Sequence, residues 1–437
     1  MAHIIDRDSM MGSKSELDLF TVPPTQVGIE RGSWVEIFPI NTVTSEGPYQ
    51  FRVSADPLLL DLSSNYIHMV VEVCKADGSA AAKTATNYSV SPINLFGKTF
   101  FKQVKVWLNS KLAYDSNDTY MYRAYIETLL SFGSDAKNSQ LQTSLYSKDT
   151  SGKFESVENQ GHKFRGAYID DGRKMEVVGP IHADIFNQNR LMLNNMEVQL
   201  ELHRNSNAFS LFSTETNADY RIKVISMTWF VRKVEILKSI ALGIEARLSR
   251  QAAKYPIRRI VVRTVHVDGG RRDTPNNVLF NGQIPRRVIV GCVEKDAFFG
   301  SYSKNPFNFK PFGIRSAQVT AGDIVYPRNP AVLDFAHGLY TRAYLGLFDA
   351  INWSNADKGN AISYSDYADG YTLLGFDLSS DSADEGHWEL IRAGSTSLRL
   401  EFAKDTPDGG IKVVVLAEFD NLLMIDKNRN VFFDYSV

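Results

Sequence analysis

The sequence has 437 residues, and 48 Lys and Arg stand against 50 Asp and Glu for a net charge of −2. This balance excludes a globally cationic nucleic-acid binder and leaves room only for a local basic patch. Hydrophobic residues make up 43% and aromatic residues 11% of the chain, which excludes a disordered chain or a coiled coil. Since ~150 residues is an ordinary domain size, we expect two domains of roughly 200 residues each.

Cysteine content and the length of apolar runs argue against further classes of protein. The two cysteines, Cys74 and Cys292, are too few for a disulfide framework and are expected to be buried thiols. No run of 18 apolar residues occurs, so no membrane-spanning helix is predicted. Residues 1–20 lack a continuous apolar stretch, so we expect a protein made inside the cell and not secreted through a signal peptide.

An N-terminal arm precedes the first predicted strand. Pro23 and Pro24 favour an extended backbone there. The arm also carries apolar side chains that would gain from a partner surface, namely Leu17, Leu19, Phe20 and Val22.

Alternation of apolar and polar residues with a period of two is the strongest local pattern, and it predicts half-buried strands. It is regular over 196–203, whereas 411–419 is apolar enough for a deeply buried strand, and 220–237 reads as one long or broken strand. Further predicted strands are 34–40, 49–53, 67–73, 100–108, 257–267, 287–293, 371–376 and 397–402. Asp-Gly and Asn-Gly turns lie between strands, so we predict an all-β protein of antiparallel sandwiches with few helices.

Helical spacing occurs at only a few places. Asp118 is expected to cap a helix whose apolar stripe includes Tyr122 and Tyr125, and a stripe of the same spacing recurs over 340–348. Both stripes follow a β-rich stretch, which indicates one architecture used twice. Ser239 is expected to cap a short linker helix. The predicted division is an arm over 1–30, a first β-domain over 31–238, a linker helix over 239–256 and a second β-domain over 257–437.

Motifs for catalysis or cofactor binding are not found, so we predict no enzyme, no catalytic residues, no cofactor and no metal site. The pairs His182/Asp184 and His266/Asp268 are expected to be surface or interface polar groups, because a metal oxygenase would need two His and a carboxylate together. The segment 97–99 reads Gly-Lys-Thr, but Pro92 stands where a phosphate-binding loop needs its first Gly. The acidic stretch 377–385 lacks the spacing of a calcium loop.

An arginine-rich segment spans 258–287. Its members are Arg258, Arg259, Arg263, Arg271, Arg272, Arg286 and Arg287. Arginine is the preferred cation for bidentate carboxylate and phosphate contacts. Ion pairs within or between subunits are the favoured interpretation, contact with phosphates of a packaged genome is the second, and unspecific surface charge is the third.

Several ordered blocks resemble one known family. The blocks Leu17-Asp-Leu-Phe-Thr-Val-Pro-Pro-Thr-Gln26 and Gly32-Ser-Trp-Val-Glu-Ile-Phe-Pro39 look like the amino-terminal signature of Polinton/Maverick (adintovirus-like) major capsid proteins. Val104-Lys-Val-Trp-Leu-Asn109 and Tyr122-Arg-Ala-Tyr-Ile-Glu-Thr-Leu-Leu130 are similar to that family's most recognisable internal block. Shorter matches are 135–137, 148–150, 308–314 and 334–344.

This resemblance implies two tandem eight-stranded jelly rolls, one in each β-domain. It also implies a viral major capsid protein, located in the virion, whose homotrimers form pseudo-hexameric capsomers of an icosahedral shell around a DNA genome. The expected partners are further copies of itself, penton and minor capsid proteins and, indirectly, the genome. Under this interpretation the arm either docks on a neighbour by strand addition or groove binding, or is a disordered terminus.

Two other classes compete with the capsid interpretation. A jelly-roll carbohydrate-binding or ligand-binding module would expose aromatic side chains on one face, and Trp353, Tyr364 and Tyr367 could serve. A cupin-type enzyme would need convergent histidines, which the sequence does not show.

Overall fold

The computed structural model describes residues 15–80, 88–275, 277–380 and 387–435. The strands of the first half are β1 (Ile29–Ile37), β2 (Tyr49–Val53), β3 (Leu59–Lys75), β4 (Val90–Pro92), β5 (Phe101–Leu108), β6 (Lys111–Asp115), β7 (Met175–Gly179), β8 (Val198–Arg204), β9 (Leu211–Ser213) and β10 (Tyr220–Ile236). Those of the second half are β11 (Ala253–Val267), β12 (Val278–Gln283), β13 (Arg287–Glu294), β14 (Ile314–Ala321), β15 (Ile324–Tyr326), β16 (Leu373–Asp377), β17 (Ala393–Phe402), β18 (Ile411–Ile425) and β19 (Val431–Phe433).

Helices occupy the connections between strands. They are α1 (Phe96–Thr99), α2 (Tyr120–Ser131), α3 (Ser134–Lys137), α4 (Gln160–Gly166), α5 (Asn207–Ser210), α6 (Lys238–Leu248), α7 (Lys295–Phe299), α8 (Thr341–Ala350) and α9 (Tyr364–Ala368). Short 3₁₀ turns lie at Ser15–Leu17, Gln140–Ser144, Asp170–Gly172, Asp184–Asn187 and Phe335–His337. None of the helices in the described ranges is long and apolar enough to cross a membrane.

Strand order identifies a jelly roll in each half of the chain. The first half forms the antiparallel sheets β1-β10-β3-β7 and β2-β8-β5-β6, and the second forms β11-β18-β13-β16 and β12-β17-β14-β15. The short strands β4, β9 and β19 lie outside these four-stranded orders. When the remaining eight strands of each half are numbered in chain order, both halves have the sheet orders 1-8-3-6 and 2-7-4-5. This double Greek-key arrangement is the jelly-roll sandwich. The predicted all-β fold with two eight-stranded sandwiches is confirmed.

A bulge explains why 220–237 looks like either a long or a broken strand. In β10 the buried residues are Tyr220, Ile222 and Val224 up to the bulge, and Met227, Trp229 and Val231 after it. The register against β3 shifts between Val224 and Ser226, and the extra residue Ile225 is left exposed. Because one additional residue reverses which side chains face inward, the strand continues while its alternation changes phase.

Two of the predicted helix caps are wrong. Asp118 has a φ of 60° and its carboxylate lies 2.8 Å from Lys102 Nζ, so Thr119 precedes α2 instead. Ser239 lies inside α6, which begins at Lys238 directly after Leu237. Leu237 takes the non-helical conformation of an N-cap, with φ −52° and ψ 137°, but its apolar side chain has no oxygen that could accept a capping hydrogen bond.

The two halves share core residues. The apolar core of the first jelly roll, around Phe51 and Trp229, also contains Tyr255 from β11 and Leu423 and Ile425 from β18. We propose that the chain divides at α6, because the strands before and after this helix form separate sheets. The proposed bounds of the arm and the linker are those predicted from the sequence, 1–30 and 239–256. The packing crosses that boundary, so the halves support each other.

Candidate assembly surfaces

Helix α2 joins the first jelly roll to the second through stacked aromatic rings. Tyr125 stacks on Phe307 with ring centroids 4.0 Å apart, and Tyr122 stacks on Phe298 at 5.3 Å. The Tyr122 hydroxyl donates to the Pro306 carbonyl at 3.2 Å. Aromatic pairs of this kind add about 0.5–1.5 kcal/mol beyond the area they bury. The junction between the jelly rolls is therefore tightly packed.

Charged groups are buried in the same junction. Arg123 Nη1 on α2 lies 2.7 Å from the Asp184 carboxylate, and Nε lies 3.4 Å from Glu127. Asp184 also accepts a hydrogen bond from the Ile260 backbone N–H of β11 at 3.1 Å. Burial disfavours charge on Arg123, but the Asp184 and Glu127 carboxylates outweigh it and keep the pKa of Arg123 well above its ordinary value. The buried Asp184 carboxylate thus links α2 to β11, and this contact exists only in the folded chain.

His182 extends this network toward the cleft between the jelly rolls. Its Nδ1 lies 2.6 Å from Glu127. Burial lowers the pKa of His182, and the nearby Lys98 lowers it further. Burial alone would raise the pKa of Glu127, but Arg123 and His182 lower it to about 2. The expectation that His182 and Asp184 are surface or interface polar groups is wrong for Asp184, which is buried against Arg123, whereas His182 faces Glu127.

The arginine-rich segment forms ion pairs within the chain. The Arg287 guanidinium donates twice to Glu418, with both distances 2.9 Å, and Arg258 lies 3.4 Å from the same carboxylate. Arg286 approaches Asp420 at 3.8 Å. Arg259 stacks over the Phe419 and Tyr435 rings. These contacts agree with the part of the favoured interpretation that expects ion pairs within the subunit.

The remaining arginines lie nearer to solvent. Arg272 Nε donates to Asp405 at 2.6 Å, and Arg271 lies 3.7 Å from Asp273. Arg263 is exposed on β11. Exposed pairs of this kind contribute little to stability.

The other sequence candidates do not assemble into a chemical site. His266 Nε2 lies 3.0 Å from Asp268 at the surface, and no group of three metal-ligating side chains occurs within the described parts of the chain. Lys98 of the 97–99 motif is buried in α1, where its Nζ donates to Thr128. Asp377 accepts hydrogen bonds from Ser379, whereas 381–385 of the acidic stretch lies outside the described residues.

The aromatic residues proposed for a ligand-binding module do not form one platform. Tyr367 is fully buried beneath Tyr340 and Tyr344. Tyr364 is partly exposed but stacks on Tyr340 at 4.5 Å, and Trp353 lines the cleft between the jelly rolls.

Part of the predicted arm is described, and its apolar side chains contact little of their own chain. Leu17 and Leu19 are about three-quarters exposed, and Phe20 is 95% exposed. The described arm, 15–28, therefore presents apolar groups that folding of this chain does not bury.

An aromatic face on the first jelly roll was not predicted from the sequence. Trp34 of β1 contacts Tyr66 of β3 with centroids 5.2 Å apart, and Tyr66 stacks on Phe230 of β10 at 4.8 Å. His68 continues the row. These residues, Trp34, Tyr66, His68 and Phe230, define the aromatic face on the outer side of sheet β1-β10-β3-β7. The signal was the presence of large aromatic rings in the polar phase of three alternating strands.

Solved structures of viral proteins share this fold. The cryo-EM structure of the Sputnik virophage has a TM-score of 0.66 at 12% identity, covering 100% of this chain and 94% of that one. The mavirus major capsid protein has a TM-score of 0.61 at 10% identity, with 100% and 97% covered. The PBCV-1 virus capsid has a TM-score of 0.60 at 10% identity, with 96% and 100% covered. These likenesses establish the double jelly-roll fold.

Sequence comparison adds one relative in an animal. No protein-family model matches the chain. The uncharacterized protein F54H12.2 of Caenorhabditis elegans is 30% identical over 423 residues, which cover 94% of this chain and 99% of that protein. The chain therefore belongs to the same family as this nematode protein, and its fold is the double jelly roll.

Proposed function

We propose that the chain is a major capsid protein, whose three copies form a pseudo-hexameric capsomer that tiles an icosahedral shell around DNA. The observation that carries this proposal is the double jelly roll over the whole chain, since the Sputnik, mavirus and PBCV-1 neighbours with that fold come from viruses. Each chain supplies two similar sandwiches, so three chains supply the six sides of a hexagonal outline. Contact with other subunits, rather than catalysis, is then the function.

Origin in a Polinton/Maverick element is part of the same proposal. Mavirus is among the structural neighbours, and the 30% identical relative is a protein of a nematode. A capsid gene carried in the genome of an animal host fits both observations. The expected location of the assembled protein is the virion capsid.

The arm and the exposed surfaces are the proposed binding sites for the other components of a capsid. The arm residues Leu17, Leu19 and Phe20 would be covered by a neighbouring capsomer or by a minor capsid or penton protein. Contact with the genome would be indirect, because Arg258, Arg286 and Arg287 already face carboxylates of their own chain.

Electron microscopy of the purified, untagged chain tests this function. The proposal expects particles with a hexagonal outline and three-fold symmetry, and closed shells at high protein concentration. Nuclease treatment followed by extraction would show whether shells protect DNA. Uniform single-chain particles at every concentration would contradict the capsid function.

A further inference from the structure

We propose that helix α8 of one copy docks on the aromatic face of the next copy, and that this contact closes the trimer. The inference rests on the proposed capsomer and names the two surfaces that build it. It is derived from a contact that the chain already makes with itself, at the junction between its two jelly rolls.

The outer face of sheet β11-β18-β13-β16 provides the internal reference. One side of this sheet packs into the second jelly roll through residues such as Val290 and Val415. The opposite, outer side carries Val262, Ile289 and Leu416, which are all at least 92% buried. They lie in one apolar cluster with Tyr125 and other residues of α2. The first jelly roll therefore covers the outer face of the second.

No described residue covers the corresponding sheet of the first jelly roll in this way. Sheet β1-β10-β3-β7 has the same strand order, and its outer side is the aromatic face. Trp34 is 50% exposed there, and Phe38, just beyond the end of β1, is 64% exposed. Large exposed aromatic groups on one side of a sheet mark a surface that binds another protein.

The two helices that connect equivalent strands differ in the same manner. Helix α2 follows the fifth strand of its jelly roll and α8 follows the fifth strand of the other. All residues of α2 from Tyr120 to Leu130 are buried, apart from the half-buried Glu127. Helix α8 instead leaves Arg342, Leu345 and Asp349 exposed along one side, a spacing of three and four residues that defines a single helix face.

One outer face and helix α2 are thus buried within the chain. Helix α8 buries Leu347 and Ala350 in the same apolar cluster, whereas its exposed side and the aromatic face are not covered by the described residues. An open α8 on one copy and an open aromatic face on another form a head-to-tail contact, which generates a closed ring if the rotation between copies permits it. Charges of both signs lie on both surfaces, since α8 exposes Arg342 and Asp349 and the strand carrying Trp34 exposes Arg31 and Glu36, so opposite charges can be matched across the contact. Three copies would repeat the internal junction around a six-membered ring of jelly rolls.

Cysteine cross-linking tests the proposed pair of surfaces. The double variant Trp34→Cys/Leu345→Cys is treated with a flexible bis-maleimide at neutral pH. Cys74 and Cys292 are buried, so the introduced thiols are the reactive ones. The expected product is a ladder of covalent dimers and trimers that stops at three chains. A dimer formed by the single variant Trp34→Cys or Leu345→Cys would overturn the head-to-tail contact.

The mass of the untreated wild-type chain separates the two possible failures. If the wild type is trimeric and the double variant gives no cross-links, this inference is wrong while the capsid function stands. If the wild type stays monomeric at high concentration, the proposed function fails as well.

A charge substitution provides a second measurement. Leu345→Glu places a carboxylate on the exposed side of α8, where it should not disturb folding, and it should weaken trimer formation at least tenfold. The matched control is Val278→Glu on β12, which is similarly exposed (61%, against 51% for Leu345) but lies on the other sheet of the second jelly roll. Equal trimer affinity in the two variants, with unchanged circular dichroism, would overturn the proposal.

Discussion

Two surfaces of the molecule are rich in aromatic rings, namely the junction between the jelly rolls and the aromatic face. Charged residues are buried in the junction but exposed beside the aromatic face. The junction buries Arg123 and Asp184 against each other, whereas the aromatic face keeps Glu36 at the solvent-exposed surface. Removing one partner of a buried ion pair is costly, so such pairs suit a contact formed once, during folding. A surface that waits for another copy must stay soluble beforehand, and half-exposed rings beside exposed charges meet that need.

The largest expected effect comes from breaking the buried charge pair. Asp184→Ala leaves Arg123 without its closest carboxylate and the Ile260 N–H without its acceptor. The free energy of unfolding should fall by about 3–5 kcal/mol, as for other broken buried pairs. Asp184→Asn, which keeps an acceptor for Ile260 N–H, should lose less. Chemical denaturation measures both, and equal stability of Asp184→Ala and wild type would show that the junction does not depend on this charge.

The stacked rings of the junction come next. Tyr125→Ala removes a fully buried ring that stacks on Phe307, and it should cost about 3–5 kcal/mol of stability. Tyr125→Phe is the matched control. The Tyr125 hydroxyl is buried and has no hydrogen-bond partner among the described residues, so its removal should leave stability unchanged or raise it by about 1 kcal/mol. A loss of stability in Tyr125→Phe would contradict this description of the junction.

Two arginines of the arginine-rich segment 258–287 allow the stability contributed by an internal ion pair to be compared with that of an exposed one. Arg287→Ala leaves Glu418 without its two short hydrogen bonds and should cost about 1.5–3 kcal/mol. Arg272→Ala removes only an exposed pair with Asp405, and its melting temperature should match that of the wild type. Similar destabilisation in both variants, measured by thermal unfolding, would show that the segment acts as a whole rather than through Glu418.

The free energy of unfolding is also expected to depend on pH, through Lys137 in the junction. Lys137 Nζ donates to the carbonyls of Leu129 and Asn360, one on each side of the junction. Burial lowers the pKa of Lys137, and Lys148 lowers it further, to about 7. Between this value and the unfolded value of about 10.4, the unfolded chain binds more protons than the folded one. Stability should therefore rise with pH across this window, by up to about 1.4 kcal/mol per pH unit for this group.

Lys137→Met tests the assignment of that slope. The variant should show a flatter dependence of unfolding free energy on pH between 7 and 10 than the wild type, because it has lost one titrating group. Lys102→Met is the control, since Lys102 is about half exposed, forms an ion pair with Asp118 and does not act on the pKa of Lys137. If Lys137→Met leaves the slope of unfolding free energy against pH unchanged, Lys137 does not cause this pH dependence.

Local patterns predicted the strands well where one face is buried. The predicted strand 49–53 coincides with β2, and β10 spans nearly all of 220–237. Five of the sixteen jelly-roll strands were missed, namely β6, β7, β12, β14 and β15. Four of them have only three to six residues, and Ala317, Ala321 and polar residues give β14 a weak apolar pattern. The fold class thus follows from alternation and turns, whereas short or small-residue strands need tertiary context.

The junction and the aromatic face could not be predicted in the same way. Tyr125 and Phe307 are 182 positions apart, and no local pattern relates residues at such a separation. The pairing of Arg287 with Glu418 likewise depends on β13 and β18 becoming neighbours. Sequence indicated which residues carry charge or rings, but only strand order determines which of them meet.

The mass of the purified chain in solution decides whether copies of this chain assemble with one another. Light scattering over a range of concentrations should give a trimer of 3 × 49.1 = 147 kDa for the wild type, and a lower mass for Leu345→Glu. This result would show that the chain completes its open surfaces with further copies of itself. A wild-type chain that remains at 49.1 kDa at the highest concentration would contradict the account.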